Sequence, residues 1–150
     1  MTKKCLAWLE KNSKNSPNLV IDLEEIKNNY KKFIRYFKGI KPFYAVKANP
    51  NKNIITILNE LGCSFDCASI KEIKDCIKLG VDPKKISYGN TIKKAVDIKK
   101  AFLLGINLFA FDIFMCGDTK PEEAAQYLIE TLKPKKNKIT DLRRGVIPID

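Results

Sequence analysis

Phe43-Tyr44-Ala45-Val46-Lys47-Ala48-Asn49-Pro50 reads as an apolar strand that ends on a lysine and leaves by a sharp, proline-marked exit. Strand alternation puts Phe43, Ala45 and Lys47 on one face and Tyr44 and Val46 on the other. Immediately upstream, Glu24 to Lys38 carries Ile26, Tyr30, Phe33, Ile34 and Phe37 at helical spacing, and Gly39 closes the helix. Leu19-Val20-Ile21-Asp22-Leu23 predicts a buried strand before it. Cys5, Leu6, Trp8 and Leu9 predict a short helix ending before Pro17.

Downstream the alternation continues. Ile54, Ile55, Ile57, Leu58 and Leu61 make a helix ended by Gly62, and Ser64-Phe65-Asp66-Cys67 is a short strand. Ile70, Ile73 and Ile77 give a helix that stops at Gly80, before a strand at Ile86-Ser87-Tyr88-Gly89. A helix from Lys93 to Leu104 ends at Gly105, and Asn107 to Phe111 is a fifth strand. Strands that recur every 20–25 residues or so with a helix between them predict an α/β fold built on a parallel sheet. Periodicity leaves two architectures open, a doubly wound sheet and part of a (β/α)₈ barrel, which takes about 250 residues when whole. No G-x-G-x-x-G and no Walker-type loop is present, so the strongest signs of a dinucleotide or nucleotide fold are missing.

Past Asp112 the rhythm changes. Ile113 to Gly117 has no clear period, Pro121 to Leu132 predicts a helix, and Pro134-Lys135-Lys136-Asn137-Lys138 is basic and rich in breakers. The reading is therefore one barrel-like unit over residues 1–115 and a helix with a basic tail over 116–150.

Composition narrows the chemistry. The chain has 150 residues, 28 Lys+Arg against 17 Asp+Glu, a formal charge of +11, and no histidine. The lysines are spread over several helices beside apolar positions, and arginine is confined to Arg35, Arg143 and Arg144. That pattern describes solvated helix faces and not a nucleic-acid groove, which would favour arginine for bidentate contacts. The longest apolar stretch, Ala101 to Phe111, is interrupted by Gly105 and Asn107 and falls well short of the roughly 20 residues of a membrane span. With no secretory signal in the opening residues, a cytoplasmic location is expected. The five cysteines show no C-x-x-C pair, and without histidine no metal site is expected. The lack of histidine also removes every mechanism that needs an imidazole base, leaving lysine, carboxylates, hydroxyls or a borrowed cofactor.

Lys47 is the lysine that departs from the surface pattern. At the C-terminal end of a barrel strand it would occupy the catalytic rim. Apolar surroundings there would disfavour its ammonium form and make the amine a better nucleophile toward an aldehyde. Position alone leaves a snorkelling strand-end lysine open. Asp66 ends the next strand on the same face as Ser64. It reads either as a carboxylate that holds a protonated amine or as a turn aspartate before Ser69.

The wording of the sequence goes further than its spacing. Phe43 to Pro50 resembles the pyridoxal-phosphate attachment block of the ornithine/diaminopimelate/arginine decarboxylase family. Leu61-Gly62-Cys63-Ser64-Phe65-Asp66-Cys67-Ala68-Ser69, with Glu72-Ile73 following, looks like that family's second block. Ile86 to Lys94 and Gly105 to Asp112 are similar to its third and fourth. The likeness covers about residues 17 to 112 and lies nearest to bacterial ornithine or lysine/ornithine decarboxylases. It implies an alanine-racemase-like (β/α)₈ barrel, here about five βα units without the C-terminal β domain. It also implies pyridoxal 5'-phosphate carried on Lys47, with Asp66 near the linkage and the small Ala45 leaving room for the ring. The reaction implied is decarboxylation of a basic amino acid, L-ornithine to putrescine in polyamine synthesis, in an enzyme that dimerises.

Where the sequence departs from that family, the expectation changes with it. No histidine is available to cover the pyridine ring, and no glycine-rich phosphate loop, ring-nitrogen glutamate or Cys-Asp pair is found. The expectation is a chain with little or no decarboxylase activity by itself. The alternative is a non-catalytic pyridoxal-phosphate-binding protein of the single-barrel kind.

Overall fold

A computed structural model describes residues 2–12, 17–90 and 92–110, and the backbone of 146–148. The chain divides into two compact units, Met1–Ile40 and Lys41–Asp150.

The first unit holds α1 (Lys3–Asn12) and α2 (Leu23–Tyr36). Both helices follow the apolar spacing of the sequence. The strand expected over Leu19–Leu23 is not formed, because Asp22 is the N-cap of α2 and Leu23 is its first residue. The Asp22 carboxylate accepts from the Glu24 and Glu25 N–H groups at 3.0 and 3.3 Å and from the Thr2 hydroxyl. A capping aspartate satisfies the orphan donors of a helix start, and this local gain overrides the β propensity of Val20 and Ile21. Phe37 leaves the helix and Gly39 reverses the chain at φ 79°.

These bonds have a pH signature. The Thr2 hydroxyl, then the Glu25 N–H, hold the Asp22 carboxyl below its ordinary value of 3.8. A depressed folded pKa contributes stability that is complete above the ordinary value and is lost as pH falls through the lower, folded one. Helicity of α2 is expected to fall in that acid range, and Asp22→Ala should remove this acid step while lowering helicity at neutral pH. Far-ultraviolet circular dichroism titrated from pH 7 to pH 2 reads both.

The second unit is a sheet in the order β1-β2-β3-β4-β5, made of β1 (Phe43–Ala45), β2 (Ser64–Cys67), β3 (Ile86–Tyr88), β4 (Leu108–Ala110) and β5 (Val146–Pro148). β1 to β4 are parallel neighbours joined by α3 (Lys52–Glu60), α4 (Ile70–Lys78) and α5 (Ala95–Leu103). This is the repeated βα unit that the sequence spacing predicts. The fold is α/β, as expected.

The last strand departs from that reading. β5 runs antiparallel to β4, with Phe109 opposite Ile147, within a stretch the sequence marks as a breaker-rich tail. Pro148 ends this edge strand, where a missing N–H leaves no ladder bond unmade. The helix expected over Pro121–Leu132 lies outside the described residues.

The two faces of the sheet differ in chemistry. Phe65, Cys67, Ile86, Tyr88 and Phe109 are buried on one face. The Tyr44 and Phe65 rings meet edge to face at 6.3 Å, and Tyr88 and Phe109 lie 6.2 Å apart. Ile54, Ile55 and Leu58 of α3, Ile73 and Cys76 of α4, and Ile98 and Ala101 of α5 supply the buried helical residues of the unit. The other face carries Phe43, Ala45, Ser64, Asp66, Ser87, Leu108 and Ala110, which are mostly small or polar. A parallel sheet normally buries both faces. Small and polar residues on one of them make it the candidate functional face. Among the described residues no helix is long and apolar enough to cross a membrane.

Candidate functional site

The site is built at the C-terminal ends of β1, β2 and β3. β1 stops at Ala45, and Val46–Ala48 forms a turn of 3-10 helix, so Lys47 lies beyond the strand and not on it as alternation predicts. Pro50 explains the early stop. The residue before a proline is driven to extended backbone, and Asn49 sits at φ −158°, ψ 104°. The chain must therefore tighten between Ala45 and Asn49.

Three local contacts fix that turn. Val46 is buried, the Tyr44 hydroxyl donates to the Asn49 carbonyl at 3.0 Å, and the Asn51 N–H donates to Asn49 Oδ1 at 3.1 Å. Asn51 then caps α3 by accepting from the Asn53 N–H at 2.9 Å. Burial, with a smaller contribution from Cys63, pushes the Tyr44 phenol above its ordinary range, so it stays a donor at neutral pH. Tyr44 is a positioning residue for the lysine turn that the sequence alone does not single out. Tyr44→Phe is expected to cost about 1 kcal/mol, the net worth of one hydrogen bond, measured by urea unfolding.

Lys47 itself is exposed. This corrects the expectation of apolar surroundings, which rested on placing the side chain on the strand face. The 3-10 turn takes Lys47 off the strand, and among the described residues it stays exposed. Its amine is reachable, and accessibility rather than desolvation is what the geometry provides.

Asp66 is half-buried in β2, and its register partners are Ala45 on one side and Ser87 on the other. Ser87 Oγ donates to Asp66 Oδ1. The carboxylate also lies against Gly89, where a Cβ would overlap Asp66 Oδ1, Cγ and Oδ2. Asp66 is therefore a site-facing carboxylate, and the cap before α4 falls to Ser69. Ser69 Oγ accepts from the Glu72 N–H at 3.2 Å, while Glu72 Oε2 accepts from the Ala68 N–H at 2.8 Å. This reciprocal pairing satisfies donors at the start of α4. Ser69→Ala should cost about 1 kcal/mol in chemical unfolding.

Ser64, two residues before Asp66 on the same face, is buried, and its hydroxyl has no hydrogen-bond partner among the described residues. Lys93 follows β3, donates to the Ala110 carbonyl and lies 5.1 Å from the Tyr88 ring centroid. On the opposite face Cys67 and Cys76 place their sulfurs 3.8 Å apart. The bond to Cys76, then burial, keeps the Cys67 thiol protonated well above the ordinary range, which makes it a packing residue and not a nucleophile. Among the described residues no cluster of metal ligands is found.

The structure thus brings Ala45, Asp66 and the backbone of the Lys47 turn to adjacent strand ends. An accessible primary amine, a seated carboxylate and a small residue between them can capture an aldehyde and hold the resulting charge. The orphaned Ser64 hydroxyl leaves bonding capacity on the same face.

Comparison with known proteins gives the chain its relatives. Residues 23–116 match the family model described as pyridoxal-dependent decarboxylase, pyridoxal binding domain. Residues 105–145 match a second model, S-adenosylmethionine decarboxylase, mostly outside the described residues. The chain is 41% identical over 93 residues to Antizyme inhibitor 2 of Xenopus laevis, covering 62% of this chain and 20% of that protein. It is 38% identical over 93 residues to a probable ornithine decarboxylase of Dictyostelium discoideum, with the same coverage. A crystal structure of lysine decarboxylase from Selenomonas ruminantium superposes with a TM-score of 0.70 at 30% identity, over 89% of this chain and 34% of that one. The chain thus spans about a fifth of the curated relatives and about a third of the solved one. The parallel β1–β4 sheet is accordingly part of the barrel of these decarboxylases, and the chain belongs to the pyridoxal-dependent decarboxylase family through its pyridoxal-binding domain.

Proposed function

We propose that this chain binds pyridoxal 5'-phosphate through Lys47 as the cofactor-binding part of a decarboxylase of a basic amino acid, L-ornithine to putrescine in the first instance, in the cytoplasm and within a dimer, and that by itself it has little or no decarboxylase activity. The observation that carries the reading is the juxtaposition of Ala45, Asp66 and the Lys47 turn at adjacent ends of two parallel strands. The residues fit the aldehyde end of the cofactor: Lys47 offers a reachable amine, Ala45 offers space, and Asp66 offers a carboxylate held on one side by Ser87. When bound, the cofactor supplies an electron sink for the pair released as the carboxylate departs. The chain's own part is to fix the amine on a turn anchored by Tyr44 and Val46 and to present negative charge where a cationic nitrogen would sit. The basic substrate is supported by the named ornithine and lysine decarboxylases, and the dimer by the family resemblance alone.

The test is covalent. Incubation with pyridoxal phosphate, borohydride reduction and peptide mapping should label the peptide containing Lys47 above all others. Label spread evenly over the lysines would overturn the reading. Release of carbon dioxide from carboxyl-labelled ornithine measures the activity, expected to be little or none from this chain by itself; ready release would overturn that part of the reading.

The match over residues 105–145 supports a second reading for that segment alone, a piece related to S-adenosylmethionine decarboxylases joined behind the barrel strands. Carbon dioxide release from carboxyl-labelled S-adenosylmethionine tests it independently of the ornithine assay.

A further inference from the structure

We propose that Ser87 is a positioning residue for Asp66, and that with Gly89 it forms a seat that fixes which carboxylate oxygen is left for the cationic nitrogen at the Lys47 turn. The inference rests on the function proposed above and adds a residue that neither composition nor spacing singles out.

The seat has three sides. Asp66 and Ser87 are direct register partners on parallel strands, so their side chains rise from the same face. Ser87 is only 9% exposed, which keeps its hydroxyl from turning to water, and it donates to Asp66 Oδ1. Gly89 lies two residues on, its N–H bonded to the Cys67 carbonyl at 2.9 Å, so the backbone beneath the carboxylate is tied to β2. Because Gly89 has no side chain, the carboxylate occupies the volume a Cβ would take. Ala45, the partner on the far side, contributes only a methyl group. Among the described residues, Ser87 is the one hydrogen-bond partner of Asp66. Hydrogen bonding at Oδ1 occupies one of its two acceptor sites and leaves both sites of Oδ2 for the cation. A carboxylate fixed in this way meets a cation without first paying to restrict its own rotation.

Two substitutions separate the hydroxyl from the space it fills. Ser87→Ala removes the donor, and Ser87→Thr retains it on a residue suited to a strand. Asp66→Asn, which keeps shape and removes charge, is the reference. The primary readout is the pH profile of the visible absorbance of the protein loaded with pyridoxal phosphate, with urea midpoints recorded for each variant. A displaced carboxylate holds the proton on the lysine-bound nitrogen less well, so the profile of Ser87→Ala should move to lower pH. A movement of about one pH unit is expected, in the same direction as the larger one of Asp66→Asn. Ser87→Thr should restore the original profile.

The second readout needs no cofactor. In the free protein, a slowly exchanging Ser87 hydroxyl proton should give a nuclear Overhauser contact to the Asp66 β-protons, and its signal should vanish in Asp66→Ala, which has no acceptor. If Ser87→Ala leaves the absorbance profile in place while Asp66→Asn moves it, the positioning role is overturned and the proposed function stands. If the hydroxyl contact is present but the protein takes up no cofactor at Lys47, the function fails and the seat stands as geometry without that purpose. If the contact is absent, the seat itself is refuted.

Discussion

Lys47→Ala should abolish site-selective attachment of pyridoxal phosphate, leaving only weak labelling shared among the other lysines. The expected loss at that peptide is about tenfold or more after borohydride reduction, because Lys47 leaves the end of β1 on a fixed turn beside the strand that carries Asp66. Lys47 extends from a 3-10 turn held by the buried Val46 and by the Tyr44 hydroxyl on the Asn49 carbonyl. Its removal touches none of those anchors, so the urea midpoint should not change measurably, as is usual for an exposed side chain away from packing features. Lys47→Arg sharpens the result. It keeps the positive charge but supplies a guanidinium that stays protonated and does not condense with aldehydes. Equal loss in both variants assigns the effect to the amine; survival of labelling in Lys47→Arg would mean that charge alone draws the anionic cofactor to the face and that another lysine reacts.

How far the sequence foretold this arrangement depends on the range of the interactions involved. The strands at Phe43, Ser64, Ile86 and Leu108 were legible because each is a short apolar run between a helix-ending glycine or turn and the next helical stripe. Local spacing suffices for such units. The stretch Leu19–Leu23 was misread because one capping bond set outweighs the β propensity of three residues, and Asp22 carries no mark that tells a strand aspartate from an N-cap. β5 is not legible in the sequence: it pairs with a strand far away along the chain, and nothing in Val146-Ile147-Pro148 names its partner.

The site divides in the same way. Lys47, Ala45 and Asp66 are legible in the wording of the strand ends; Ala45 and Asp66 meet because β1 and β2 pair in register, and the Lys47 turn follows Ala45. The surroundings of Lys47 were not found, since alternation fails where Pro50 ends the strand early. Ser87 and Gly89 were quoted as part of a resembling block, but their purpose appears only when β3 is laid beside β2. Tyr44 needed the turn geometry before its hydroxyl had a partner.

Phe65→Ala should unfold most of the second unit. Phe65 is completely buried at the centre of the sheet, with the Tyr44 ring against it and Ile86 opposite it in register on β3. Truncating a buried phenylalanine to alanine costs about 3–5 kcal/mol through lost transfer energy and the cavity left behind. Whole domains are stable by only about 5–15 kcal/mol. A sheet with short strands has little reserve, so the urea midpoint should collapse toward zero denaturant, read by far-ultraviolet circular dichroism. Ile73→Val, at another fully buried position, provides the scale, with an expected loss of about 0.5–1.5 kcal/mol. The comparison also separates scaffold from chemistry. Phe65 precedes Asp66 on β2 but points to the opposite face, so its loss should remove cofactor uptake together with the fold. Asp66→Asn should weaken uptake while leaving the unfolding curve within about 1 kcal/mol of the original, since a half-buried carboxamide can still accept from Ser87. If both variants instead lose uptake and fold in parallel, Asp66 is a structural residue of the strand pair and the site built on it is wrong.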